Sequence, residues 1–150
     1  MCKAMYGLDH PTTAFTMSEQ ADLLRRIGEV GAARSAAERA LSVLERRMDP
    51  SSYERAYAQV SLARVLLAQG ELDRAGRLLD EALATHERSG CLGADALNLY
   101  EGYADYLRRR GRAAEAAQFD ERARRARAKA GAATGATATA TIETRRTEPR

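Results

Sequence analysis

Apolar residues along this chain recur at helical rather than alternating spacing. In the middle of the sequence Leu62, Val65 and Leu66 share one face of a helix. After Gly70 a second stripe follows through Leu72, Ala75, Leu79, Ala82 and Leu83. Steps of three and four residues bring such positions together on an α-helix, whereas a half-buried strand needs strict alternation. The intervening glycine can end the first helix in the left-handed region without a Cβ clash. Glu71, like Glu29 earlier, then puts negative charge in the first turn of the second helix, where the helix dipole favours it. Patterning of this kind predicts helices over 12–27, 30–47, 52–69, 72–88, 94–110 and 113–130. The pairs are separated by turn signals: Asp9-His10-Pro11, Asp49-Pro50-Ser51-Ser52 and Gly90-Cys91-Leu92-Gly93. Proline suits the first turn of a helix, where its missing N–H costs nothing.

The pairs are copies of one another. RIGEVGAARSAAERAL, AQGELDRAGRLLDEAL and RRGRAAEAAQFDERAR align without gaps, which superposes Gly28, Gly70 and Gly111 at intervals of 42 and 41 residues. Ala33, Ala75 and Ala116 coincide, as do Ala40, Ala82 and Ala123. Upstream, Ala21, Ala63 and Ala104 fall in the same register, each followed by Leu24, Leu66 or Leu107. Alanine is common enough here for one match to mean little. The conjunction of glycine, leucine and three alanines, three times over, identifies a true repeat. The chain is therefore an all-α solenoid of three helix–turn–helix units, 12–48, 51–90 and 93–130. Residues 1–11 are expected to be a linker and the stub of a preceding repeat, because Met1–Tyr6 stand in register with the ends of the second helices. Residues 131–150, which include GAATGATATAT, are expected to be a disordered tail rich in Ala, Thr and Arg.

The small residue in the first helix, the glycine between helices and the two alanines of the second resemble the tetratricopeptide repeat. The form most similar is the long one of about 42 residues found in kinesin light chains and many bacterial repeat proteins. The segment Gly7–Ala14 resembles the inter-repeat linker of that subfamily, and the resemblance covers about residues 7–130. It implies a right-handed superhelix whose first helices line a concave groove that takes a peptide or protein segment. Two features depart from the family. Where the subfamily often has an asparagine in mid-helix, this chain has Glu19, Ser61 and Gly102, and the Lys/Asn set that clamps a C-terminal carboxylate is not apparent.

Composition narrows the function classes. Apolar residues make up 45% and charged residues 30%, as in folded domains, while aromatics are 5% and Trp is absent, so the core must be Ala, Leu and Val. Cys2 and Cys91 lie far apart and outside any Cys/His cluster, which argues against a disulfide framework or zinc site. His10 and His86 stand alone, and the sequence holds no H-E-x-x-H, G-x-S-x-G or Gly-Lys-Ser/Thr phosphate loop. Neither an enzyme nor a cofactor or metal is expected. No secretory h-region and no membrane-spanning apolar run is present, so a cytoplasmic location without membrane contact is expected.

Charge is uneven. Residues 1–107 hold 12 Lys/Arg against 16 Asp/Glu, and residues 108–130 hold 9 against 3. The positions expected to face the groove are Phe15, Glu19, Asp22 and Arg26, then Tyr57, Ser61, Arg64 and Ala68, then Asn98, Glu101, Asp105 and Arg109. Asp22, Arg64 and Asp105 are equivalent in successive units. They are expected to form an inter-repeat ion-pair ladder; the alternative is that Arg64 offers its guanidinium to a ligand carboxylate while the two aspartates hold it. Tyr103 is expected in the core, with Tyr100 and Tyr106 partly exposed around it or serving as an aromatic contact surface. The basic end comprises Arg108, Arg110, Arg112, Arg122 and Arg125. It is expected to be a solvated terminal helix, with Glu121 pairing Arg125. An apolar edge of the first unit, including Phe15, Met17 and Leu23, is left open to self-association. Together these features point to a non-catalytic module that binds a protein or peptide in its groove. The alternative is an accessory or regulatory protein contacting nucleic acid or an acidic partner through residues 108–129, with nucleic acid the less favoured because no aromatics interleave the arginines.

Overall fold

The structure, a computed structural model, describes the backbone of residues 7–146 and the side chains of residues 7–132. Its helices are α1 (Pro11–Arg26), α2 (Val30–Arg47), α3 (Tyr53–Ala68), α4 (Leu72–Ser89), α5 (Ala96–Arg109) and α6 (Ala113–Arg146), with a 3-10 turn at Gly93–Asp95 before α5. The described residues hold no strand. Helices pair as hairpins, α1 with α2, α3 with α4 and α5 with α6. Each hairpin stacks on the next through α2 on α3 and α4 on α5, and the first helices also touch, α1 on α3 and α3 on α5. The result is the all-helical solenoid that the sequence repeat requires.

Each hairpin turn is tied off in the same way. Gly28, Gly70 and Gly111 adopt φ of 92°, 79° and 76°. The next residue, Glu29, Glu71 or Arg112, donates its amide to the carbonyl of Leu24, Leu66 or Leu107 at 2.9, 3.0 and 2.9 Å. This bond satisfies a carbonyl that the helix end would otherwise leave open, and only glycine takes the required left-handed backbone without strain. The repeated alanines pack where helices come closest: all nine, from Ala21 to Ala123, are buried. The larger core side chains, Leu44, Leu62, Val65, Leu66, Leu79, Leu99 and Leu107, are almost fully enclosed.

Helix ends follow their caps. His10 Nδ1 accepts from the amide of Thr12, with Pro11 opening α1, and Ser52 Oγ accepts from the amide of Arg55. Glu29 and Glu71 stand one position earlier than expected, at the caps themselves, and neither side chain bonds to its own helix. Glu71 is instead paired with Arg34, so α2 is fastened to α4. Glu38 joins the same tie by accepting from Arg74 at 2.8 Å and Arg34 at 3.1 Å. The bonds from Arg74 and then Arg34 hold its carboxyl below the usual range against the opposing pull of burial.

Three expectations differ from the structure. Helix α5 begins at Ala96 rather than 94, because Gly93–Asp95 forms the 3-10 turn. Helix α6 does not stop at 130 but continues to Arg146, through a stretch rich in alanine, the strongest helix former, and free of proline. Residues 147–150 of the expected tail, and 1–6 of the expected stub, lie outside the described residues. The open edge of the first unit is also smaller than expected. Leu23 is 58% exposed, but Met17 is buried and Phe15 turns inward onto α3. Ile27, at 66%, takes their place. Thr16, Gln20 and Leu23 occupy the register of Ala58, Leu62 and Val65, which are buried in the second unit.

Close packing also fixes Gly76, on α4. A Cβ there would stand 2.6 Å from the Tyr106 ring. Replacing glycine by alanine inside a helix normally stabilises by about 1 kcal/mol, while overpacking costs about 1–3 kcal/mol. Gly76→Ala is therefore expected to destabilise by roughly 1 kcal/mol, and to become stabilising once Tyr106→Leu removes the ring. Urea denaturation of the two single variants and the double checks the sign change. A stabilised Gly76→Ala single variant would show that the ring moves aside at no cost.

Candidate functional site

The first helices of the three hairpins lie side by side, and the candidate residues project from them. Asp22 of α1, Tyr57, Ser61 and Arg64 of α3 and Asn98 of α5 line one cleft, whose wall is completed by Val60, Leu92 and Asp95. A second cleft is lined by Arg64, Glu101, Asp105 and Arg109, with Arg25, Leu67, Ala68 and Gly102. Arg64 is common to both. Its side chain, 20% exposed, crosses from α3 over Gly102, where an added Cβ would come within 3.3 Å of its Cγ. The glycine that stands in place of the family asparagine thus gives the arginine its path.

Arg64 is poorly compensated for so enclosed a charge. Nη1 donates to Asn98 Oδ1 at 3.0 Å, a neutral partner. Its nearest carboxylate, Glu101, is 3.8 Å away and is held more tightly by Arg127 at 2.5 Å. Burial, and then the charge of Arg25, push the guanidinium below its ordinary pKa, outweighing the opposing pull of Asp22 and Glu101. It remains charged at any physiological pH.

The expected ladder does not form. Asp22 pairs with Arg25 at 2.9 Å and Asp105 with Arg109 at 3.2 Å, so each aspartate has a partner on its own helix. Arg109 also donates to the Leu67 carbonyl at 2.8 Å, capping the end of α3. Ser61 is buried at the floor of the first cleft, and its hydroxyl donates to the Ser18 carbonyl at 3.0 Å, bridging α3 to α1. Glu19 and Arg26 are exposed and line neither cleft, although Arg26 is close enough to act electrostatically on Arg64.

Phe15 and Tyr57 do come together, with Tyr53 as a third ring; the centroids lie 5.2–5.9 Å apart. The Tyr53 hydroxyl donates to Asp95 Oδ2 at 2.6 Å. Burial, then that bond, raise the Tyr53 phenol, and burial raises Tyr57. The sequence carried one sign of Tyr53, its i, i+4 spacing from Tyr57. Nothing local marked Asp95.

On the third hairpin Tyr100, Tyr103 and Tyr106 are all half-buried, Tyr103 included, where the core was expected. The Tyr103 ring stacks on Phe119 at 4.4 Å and its hydroxyl is bonded to Asp80. Five arginines of the basic end have carboxylate partners: Arg108 with Asp120, Arg110 with Asp73, Arg112 with Glu115, Arg122 with Glu87, and Arg125 with Glu121 as expected. All five pairs are open to solvent, so they add little to stability. Among the described residues no cluster of His, Cys, Asp and Glu is placed to hold a metal ion, and no helix is long and apolar enough to cross a membrane.

The sequence model of the tetratricopeptide repeat matches residues 54–129, just over half of the 150-residue chain. The chain belongs to the tetratricopeptide repeat family. The match spans the second and third hairpins, and the first joins them through Gly28, Ala33 and Ala40 in register. Among curated proteins none matches the chain. As a tetratricopeptide repeat protein it is a helical scaffold of the kind that holds other proteins, and its individuality lies in the side chains set on α1, α3 and α5.

Proposed function

We propose that this tetratricopeptide repeat chain is a non-catalytic scaffold of the long, kinesin-light-chain-like form. It holds a carboxylate-bearing segment of a partner protein against α1, α3 and α5, with Arg64 as the anchor. The observation that carries this is the charge deficit at Arg64. An enclosed guanidinium beside Arg25, with one shared carboxylate at 3.8 Å, gains more from an incoming carboxylate than a fully paired one would. Phe15, Tyr53 and Tyr57 supply a rigid aromatic wall beside it, of the kind from which interfaces draw binding energy. The alternative is contact with nucleic acid or an acidic partner through residues 108–129; nucleic acid has the less support, because five of the arginines there already meet carboxylates.

The test is a pull-down from native extract with nuclease present, using the wild-type chain, Arg64→Met, and the triple variant Arg108→Gln, Arg110→Gln, Arg112→Gln. The expected result is a discrete protein retained by the wild type and the triple variant and lost from Arg64→Met. Loss from the triple variant alone, or capture that vanishes with nuclease, would transfer the function to the basic end.

A further inference from the structure

A larger recess lies away from the first helices. Its volume is about 620 Å³, against about 130 Å³ for the Arg64–Glu101 cleft. It lies between residues 122–130 of α6, the 3-10 turn before α5 and the end of α4. That stretch of α6 roofs Gly93 and Ala94 of the turn and His86 of α4. Tyr100 and Ala96 of α5 supply an apolar floor, Ala126 an apolar spot in the roof, and His86 of α4 a side wall.

The roof is cationic. Arg122, Arg125 and Lys129 fall at steps of three and four along α6, so one stripe faces the recess. Their compensation is incomplete. Arg122 meets Glu87 at 3.0 Å, but Glu121 is shared between Arg124 at 2.5 Å and Arg125 at 3.1 Å, and Lys129 has no ion pair among the described residues. Three cations thus line an apolar hollow, with Glu87 on Arg122 and a Glu121 that Arg125 shares with Arg124.

We propose that this recess is a second docking site, independent of the Arg64 face, for an acidic amphipathic helix of a partner protein. Its apolar side chains fill the hollow between Tyr100 and Ala126, and its carboxylates meet Arg125 and Lys129. Charge complementarity fixes the sign of the partner, and the apolar floor fixes its class. A nucleic acid would want several phosphate contacts and open aromatic faces for its bases. The recess offers two undercompensated cations, and the Arg122 guanidinium already lies 5.9 Å from the centre of the Tyr100 ring.

The experiment is fluorescence anisotropy on the full chain. The probe is a labelled helical peptide with leucine along one face and glutamate beside it; controls are its glutamine counterpart and a labelled oligothymidine. The glutamate peptide is expected to bind. Affinity should fall on the order of tenfold for Arg125→Gln, Lys129→Gln, and similarly for the glutamine peptide. Arg64→Met should bind it as the wild type does, which keeps this site separable from the first. The proposal is overturned by equal binding to the double variant, by binding lost in Arg64→Met, by oligothymidine binding more tightly than the peptide, or by a self-associated chain in sedimentation that excludes the probe. The substituted side chains are exposed, so a folded double variant is expected and its helicity is checked by circular dichroism.

Discussion

Leu66→Ala is expected to destabilise the protein by about 2–5 kcal/mol. The side chain is fully enclosed, and α3, which carries it, touches α1, α2, α4 and α5. No other helix has so many neighbours, so a cavity there loosens both flanking hairpins together. The stability of a stacked array is a sum of unit and interface terms. Weakening the middle unit therefore lowers the coupling between the outer two as well as the total. The transition in urea should move to lower denaturant and broaden, since two partly independent ends no longer unfold as one. Leu23→Ala is the control: an exposed leucine in the first unit should change stability by no more than about 0.5 kcal/mol. A loss below about 1 kcal/mol at Leu66 would mean that the small alanines around it collapse into the space.

The positions that set the backbone were legible because each appears three times. Gly28, Gly70 and Gly111 share a positive φ, and the alanines in register with them are all buried. A backbone turn constrains residue type strongly, and close helix contacts exclude large side chains, so both leave marks in sequence. The partners of long polar side chains leave no such mark. Register alone aligned Asp22, Arg64 and Asp105, but Arg25 and Arg109 lie one turn away on the same helices and reach the aspartates first. Ser61 lines the first cleft, but that its hydroxyl would be spent on the Ser18 carbonyl left no mark in the sequence. The length of α6 left no mark either, because an alanine-rich segment free of proline reads as low complexity and yet suits a helix.

Two arginines on the same face now separate structure from binding. Arg109 closes the end of α3 through the Leu67 carbonyl and pairs with Asp105, so its work is internal. Arg109→Met should cost about 1 kcal/mol, the worth of a capping hydrogen bond. Arg64 differs: its desolvation is opposed by one neutral hydrogen bond and a shared carboxylate. In Arg64→Met the stem packs as before, Asn98 turns to water at its half-exposed position, and Glu101 keeps Arg127. A buried charge replaced by an apolar side chain of similar length is often stabilising, so Tm is expected to hold or rise, by an equivalent of about 1 kcal/mol. Partner affinity should fall by about 2 kcal/mol, roughly 30-fold in Kd, as for an arginine at the centre of an interface. Opposite movement of stability and affinity is the mark of a residue kept for binding. A fall in Tm with Kd unchanged would return Arg64 to the architecture and leave the recess beneath α6 as the partner site.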